Sequence, residues 1–120
     1  MSAEVCVPSQ FYRLVENRDP GPREFWPEGR LGALEPRGLD HLEQCLWECG
    51  TSVYETLEDA AELADALGKA FWVQIDLAGM SRAEVGIVKS GAKSHHELIA
   101  KPGRLRELVK AEGRIGRRSR

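Results

Sequence analysis

No apolar run in this chain approaches the roughly 20 residues needed to cross a bilayer. The opening MSAEVCVPSQ also lacks the charged start and apolar middle of a signal peptide. Both absences point to a soluble, cytoplasmic protein with no membrane association. Cysteine is scarce and odd in number, three in 120 residues, and a chain of this length buries roughly two thirds of its unfolded surface without disulfide support. The thiols are therefore read as reduced. An excess of one charge is missing too: 17 basic residues stand against 19 acidic ones, which argues against the broad positive field that non-specific nucleic-acid binding requires. Only the end, GRIGRRSR, is basic, with Arg114, Arg117, Arg118 and Arg120. Nucleic-acid contact is confined to that stretch, which reads as a disordered tail (114–120) after a single domain (1–113).

The familiar phosphate-binding loops are also absent. No glycine loop ends in Lys-Ser or Lys-Thr, and no Gly-x-Gly-x-x-Gly follows a strand. Nucleotide binding by those two routes is excluded. No Gly-x-Ser-x-Gly elbow is present, although GTSVY puts Ser52 and Tyr54 on one face of a short strand. Metal signatures fare no better, with no Cys-x-x-Cys pair and no His-Glu-x-x-His helix. His41, Cys45 and Cys49 do recur every four residues, but at about 1.5 Å per residue the outer two are roughly 12 Å apart along a helix. They cannot share one tetrahedral ion. No metal is expected.

What is present is alternation and helical stripes. QFYRLVEN places Phe11, Arg13 and Val15 on one face and Tyr12, Leu14 and Glu16 on the other, the pattern of a strand. Arg13 then needs a partner if buried, or else lies at the wet side of an edge strand. A proline- and glycine-rich segment follows, with Phe25 and Trp26 favouring an ordered loop over the core or a cleft. LDHLEQCLWECG reads as a helix with Leu42, Cys45, Leu46 and Cys49 inward and Gly50 ending it. Thr56 caps a second helix with Asp59 at capping-box spacing, Leu57, Ala60, Ala61, Ala64 and Leu67 inward, and Gly68 as terminator. KAFWVQIDLAG, EVGIVKSG and HHELIA read as strands, and PGRLRELVKAEG as a final helix opened by Pro102. The sum is a single α+β domain with a mixed or antiparallel sheet and about three helices.

Within HHELI, an extended chain sends His95 and Glu97 to one face and His96 to the other. The adjacent histidines cannot converge on one ion, while Glu97 is placed to orient the His95 imidazole and raise its pKa.

Taken together, FYRLV, GTSVYETLEDAAELA and HHELI resemble the small bacterial members of the ADP-ribosyltransferase superfamily, over about a third of the chain. The resemblance implies a split sheet around a cleft for NAD, used as substrate. It implies that Arg13 contacts the cofactor's phosphates or ribose, that Ser52 steadies the first strand and the nicotinamide ribose, and that Tyr54 or Trp26 stacks. Glu97 matches the family's glutamate by position, although two preceding histidines are not the usual approach to it; because some relatives use histidine or arginine at these places, His95 or His96 could act instead. The implied activity is ADP-ribose transfer to a protein or nucleic-acid target, of toxin or effector type, or NAD glycohydrolysis. The competing reading is a non-catalytic protein-binding module, such as an inhibitor, an antitoxin or a phage-encoded antagonist, with loop aromatics and the Trp47 and Trp72 surface as anchors.

Overall fold

The alternation in QFYRLV becomes strand β1, Gln10–Val15, in a computed structural model that describes residues 9–27, 38, 41–78, 80, 84–90 and 93–115, without the side chains of Pro22, His41, Leu42, Glu43, Trp47 and Asp65. After a 3₁₀ turn, Pro22–Phe25, come α1 (His41–Cys49), β2 (Thr51–Tyr54) and α2 (Leu57–Leu67). Then follow β3 (Phe71–Asp76), β4 (Gly86–Lys89), β5 (His95–Ile99), α3 (Pro102–Glu107) and β6 (Val109–Arg114). Six strands form one antiparallel sheet in the order β4-β5-β2-β1-β3-β6. Among the described residues the fold is an α+β domain with a six-stranded antiparallel sheet and three helices.

The joins in this sheet are unequal. β1 meets β3 at six paired positions from Gln10↔Asp76 to Val15↔Phe71, and β2 meets β5 at four. β1 and β2 share a single pair, Tyr12↔Tyr54. The sheet therefore consists of two three-stranded halves, β4-β5-β2 and β1-β3-β6, hinged at one bridge.

Strand periodicity gives each face its own core. One face carries Phe11, Val15, Val53, Val73, Ile75 and Leu98, closed over by Phe25 of the 3₁₀ turn and Leu105 of α3. Phe25 and Leu105 are fully buried, each worth about 2–3 kcal/mol on transfer from water. On the other face Ala60 and Ala64 of α2 pack against Leu14 and Tyr54. Small residues there let the helix approach the sheet closely. Leu67 is aligned with Ala60 by its seven-residue offset, yet it is 54% exposed, so the last turn of α2 projects past the layer it covers. In α1, Leu46 is buried but Cys45 and Cys49 are exposed, a correction to the inward cysteine stripe. The inward face is narrower than the sequence pattern implied, since each residue turns about 100° around the axis.

The C-terminal segment also departs from expectation. The helix opened by Pro102 stops at Glu107, and 109–114 is an edge strand paired with β3. Once the chain pairs, alternation governs: Val109, Ala111 and Gly113 are half-buried, while Lys110, Glu112 and Arg114 are exposed. Gly113 is fitted to this place, because a Cβ there would sit 2.6 Å from Cε2 and Cζ2 of Trp72. Arg114 thus belongs to the sheet, and the Ile115 N–H donates to the Ala70 carbonyl; 116–120, with Arg117, Arg118 and Arg120, lie outside the described residues. Among the described residues no helix is long and apolar enough to cross a membrane.

Thr56 caps α2 as its spacing predicts, its Oγ1 accepting from the Asp59 N–H at 3.1 Å. Asp59 then ties the helix to the sheet, accepting from Ser94 Oγ at 2.6 Å, while Ser94 Oγ accepts from the Glu55 N–H at 3.1 Å. The Ser94 hydroxyl, ahead of the Thr56 bond and the nearby Lys93, holds the Asp59 carboxyl below its ordinary 3.8. A depressed folded value stabilises above the unfolded pKa and is lost as pH falls through the folded one. Asp59→Asn should therefore cost stability at pH 7, and the difference from wild type should shrink as pH drops below 3.8. Urea midpoints from pH 7 to 2.5 test this; a pH-independent difference contradicts it.

Candidate functional site

The polar residues singled out in the sequence meet along the junction of β2 and β5. Antiparallel pairing sets Ser52 opposite Glu97 and Tyr54 opposite His95, so four side chains from two short segments share one face. Ser52 Oγ donates to Glu97 Oε1 at 3.0 Å. His95 Nε2 lies 3.5 Å from the same oxygen. The Tyr54 ring rests against the imidazole, centroids 5.2 Å apart. Glu97 is buried, and Ser52 and His95 are half-buried.

His95 is held from its far side by a residue the sequence did not flag. Nδ1 lies 2.8 Å from the Ser90 carbonyl and 3.2 Å from its hydroxyl. Ser90 N–H in turn donates to the His95 carbonyl at 3.2 Å, so Ser90, just past the end of β4, fixes the ring. A Glu97 partner does not bring the His95 pKa above its ordinary 6.5: the net shift is downward, foremost by burial and further by Lys89 and His96, with the Ser90 bond opposing. Desolvation of the imidazolium outweighs what the neighbours return.

Gly50, read only as a helix terminator, turns out to make room for the carboxylate. A Cβ there would lie 2.8 Å from Glu97 Oε2 and 2.8 Å from the Leu46 carbonyl oxygen. The chain leaves α1 with the Gly50 N–H donating to that carbonyl at 2.7 Å, setting the helix end directly against Glu97.

His96 points the other way. Its ring packs edge-on against Phe11, centroids 5.2 Å apart, and its Nδ1 lies 2.8 Å from the Ser94 carbonyl. It is part of the core on the opposite face and does not join His95 and Glu97.

Arg13 is also on that opposite face, 6% exposed, in a strand that lies inside the sheet. The edge-strand alternative is therefore ruled out. Its Nε donates to the Glu24 carbonyl and its Nη1 to the Ser52 carbonyl, each at 2.8 Å. The guanidinium bridges the opening between β1 and β2 and fastens the 3₁₀ turn to both. Glu24 completes the clasp from its other end, its carboxylate accepting from the Glu16 and Asn17 N–H groups at 2.6 and 3.4 Å. Arg13 thus reaches the site through the main chain of Ser52.

Trp26 is 38% exposed, with the Arg23 guanidinium 5.7 Å from its ring centre; the structure does not bring it to the Ser52–Glu97–His95 group. Trp72 is half-buried and stands edge-on to Tyr12 at 5.7 Å, while the Trp47 side chain lies outside the described residues. Among the described residues no three His, Cys, Asp or Glu side chains are grouped so as to hold a metal ion. No protein-family model, curated protein or solved structure matches the chain.

Proposed function

We propose that the chain is an ADP-ribosyltransferase-like protein that binds NAD at the Ser52–Tyr54–His95–Glu97 face, as transferase or NAD glycohydrolase. The observation that carries this reading is the Ser52 hydroxyl bonded to the Glu97 carboxylate across paired strands, beside the hinge where the sheet is held by one bridge. A carboxylate fixed in this way can accept from a ribose hydroxyl and steady the positive charge that grows on the sugar as the bond to nicotinamide breaks. The bonding pair leaves with nicotinamide, neutralising its ring. The acceptor's oxygen or nitrogen, or water, then bonds to the anomeric carbon and releases its proton. Tyr54, buried beneath α2 with its ring against His95, positions the imidazole in place of stacking on the ligand. Arg13 supports the site from behind by holding Ser52, in place of a direct grip on phosphate.

Titration calorimetry with NAD, paired with chromatographic detection of released nicotinamide, tests the reading on wild type, Ser52→Ala and Glu97→Gln. Wild type should bind saturably. Glu97→Gln should keep binding within a few-fold yet lose on the order of 100-fold or more in nicotinamide release. No saturable binding at millimolar NAD refutes the proposal and favours the protein-binding module. That second reading has one observation in its favour: Leu63 and Leu67, one turn apart on α2, are 41% and 54% exposed.

A further inference from the structure

We infer that Glu97 and His95 hold one proton between them at neutral pH, making the Ser52–Glu97–His95 line a site that gives a proton to, or takes one from, a hydroxyl-bearing ligand reached past Ser52. The Ser90 carbonyl oxygen only accepts, so the 2.8 Å approach of His95 Nδ1 to it, closer than the 3.2 Å to the Ser90 hydroxyl that could donate instead, favours the hydrogen on Nδ1. In neutral imidazole Nε2 is then a bare lone pair, and it lies 3.5 Å from Glu97 Oε1. An ionised carboxylate at that oxygen would set two lone pairs against each other, between side chains only 17% and 11% exposed. A proton between them removes the conflict, whether drawn as imidazolium with carboxylate or as imidazole with carboxylic acid. The proton belongs to the pair.

The surroundings favour keeping it. Glu97 Oε2 lies against Gly50 at the C-terminal end of α1, where the helix dipole opposes negative charge. Burial disfavours a lone imidazolium, which moves the shared proton towards the carboxylate without expelling it. Among the described residues the Tyr54 ring rests against His95, and Lys89 on β4 and His96 on β5 bear on its charge. Lys89 and His96 disfavour positive charge on His95. Half-buried Ser52 connects the pair outward through its hydroxyl. With its proton the pair can protonate a departing or anionic ligand oxygen, ending as carboxylate and neutral imidazole. Once emptied, it can take a proton from an attacking hydroxyl.

The deepening rests on the same residues as the NAD reading but needs no NAD, so the two fail separately. Nitrogen-15 NMR of the three histidine rings in the full chain, wild type and Glu97→Gln, provides the test. In wild type at pH 7, His95 should show a protonated Nδ1 and an Nε2 shift between those of bare and protonated nitrogen. In Glu97→Gln, Nε2 should move to the bare value and the His95 midpoint should fall by about one pH unit. A bare Nδ1 in wild type overturns the inference, as does an Nε2 shift unchanged by the substitution. If the variant does not fold, the wild-type Nε2 shift decides the matter by itself, an intermediate value supporting the shared proton and a bare value overturning it.

Discussion

Arg13→Met should lose about 3–5 kcal/mol of stability, read as a large drop in the urea midpoint with little change in slope. The methionine replaces much of the arginine's length, so the loss is not mainly a cavity. The cost comes from what stays behind: the Glu24 and Ser52 carbonyls, each bonded to the guanidinium at 2.8 Å, remain in the fold without that donor. A buried acceptor stripped of its partner costs about 1–3 kcal/mol, and two part-buried ones are stripped here. Replacing an ion pair by an apolar pair can be neutral when both partners go, but a main-chain carbonyl cannot be removed. Arg13→Lys should recover less than half of the loss, because an ammonium at the end of a flexible stem does not reproduce a planar fork aimed at two oxygens. A loss under about 1 kcal/mol in Arg13→Met would refute the clasp and return Arg13 to the cofactor role. The same geometry shows why loss of NAD binding in Arg13→Ala alone would not identify a cofactor contact: a loosened β2 moves Ser52 as well.

Much of this arrangement was legible in the residues because alternation in a strand fixes faces. Phe11, Arg13 and Val15 were assigned together, and so were Ser52 with Tyr54 and His95 with Glu97, each as the sheet has it. The need for a partner at a buried arginine was legible for the same reason. Which partner was not, since Glu24 offers a carbonyl from a turn whose path depends on Phe25 entering the core. The pairing of Ser52 with Glu97, 45 residues apart, leaves no trace in local pattern. Pro102 with Leu105 and Leu108 made a convincing helix start, and only pairing with β3 turned 109–114 into a strand. Exposure of Cys45 and Cys49 escaped for a related reason: a stripe says which residues share a face, and the packing partner decides how wide that face is.

Gly50→Ala should lose about 2–3 kcal/mol, against the usual expectation that alanine for glycine gains about 0.4–1 kcal/mol by restraining the unfolded chain. The added Cβ would stand 2.8 Å from the Leu46 carbonyl oxygen, 2.8 Å from Glu97 Oε2 and 3.0 Å from Glu97 Cβ. Gly113→Ala meets closer atoms, but they belong to the ring of half-buried Trp72, which has solvent to swing into, so its loss should be smaller. At Gly50 one obstacle is main chain, fixed by the 2.7 Å bond from Gly50 itself, and the other is the carboxylate that holds Ser52. Relief must therefore come from Glu97, whose displacement lengthens both the Ser52 bond and the approach to His95. Two measurements follow from that coupling. The NMR signature of the shared proton should be lost in Gly50→Ala along with stability. Gly50→Ala with Glu97→Ala should then cost less than the sum of the single changes, by about 0.5–1 kcal/mol or more, because removing the carboxylate frees the space that the methyl group needs. Strict additivity would mean that the alanine is accommodated by α1 alone, and that the end of this helix does not set the position of Glu97.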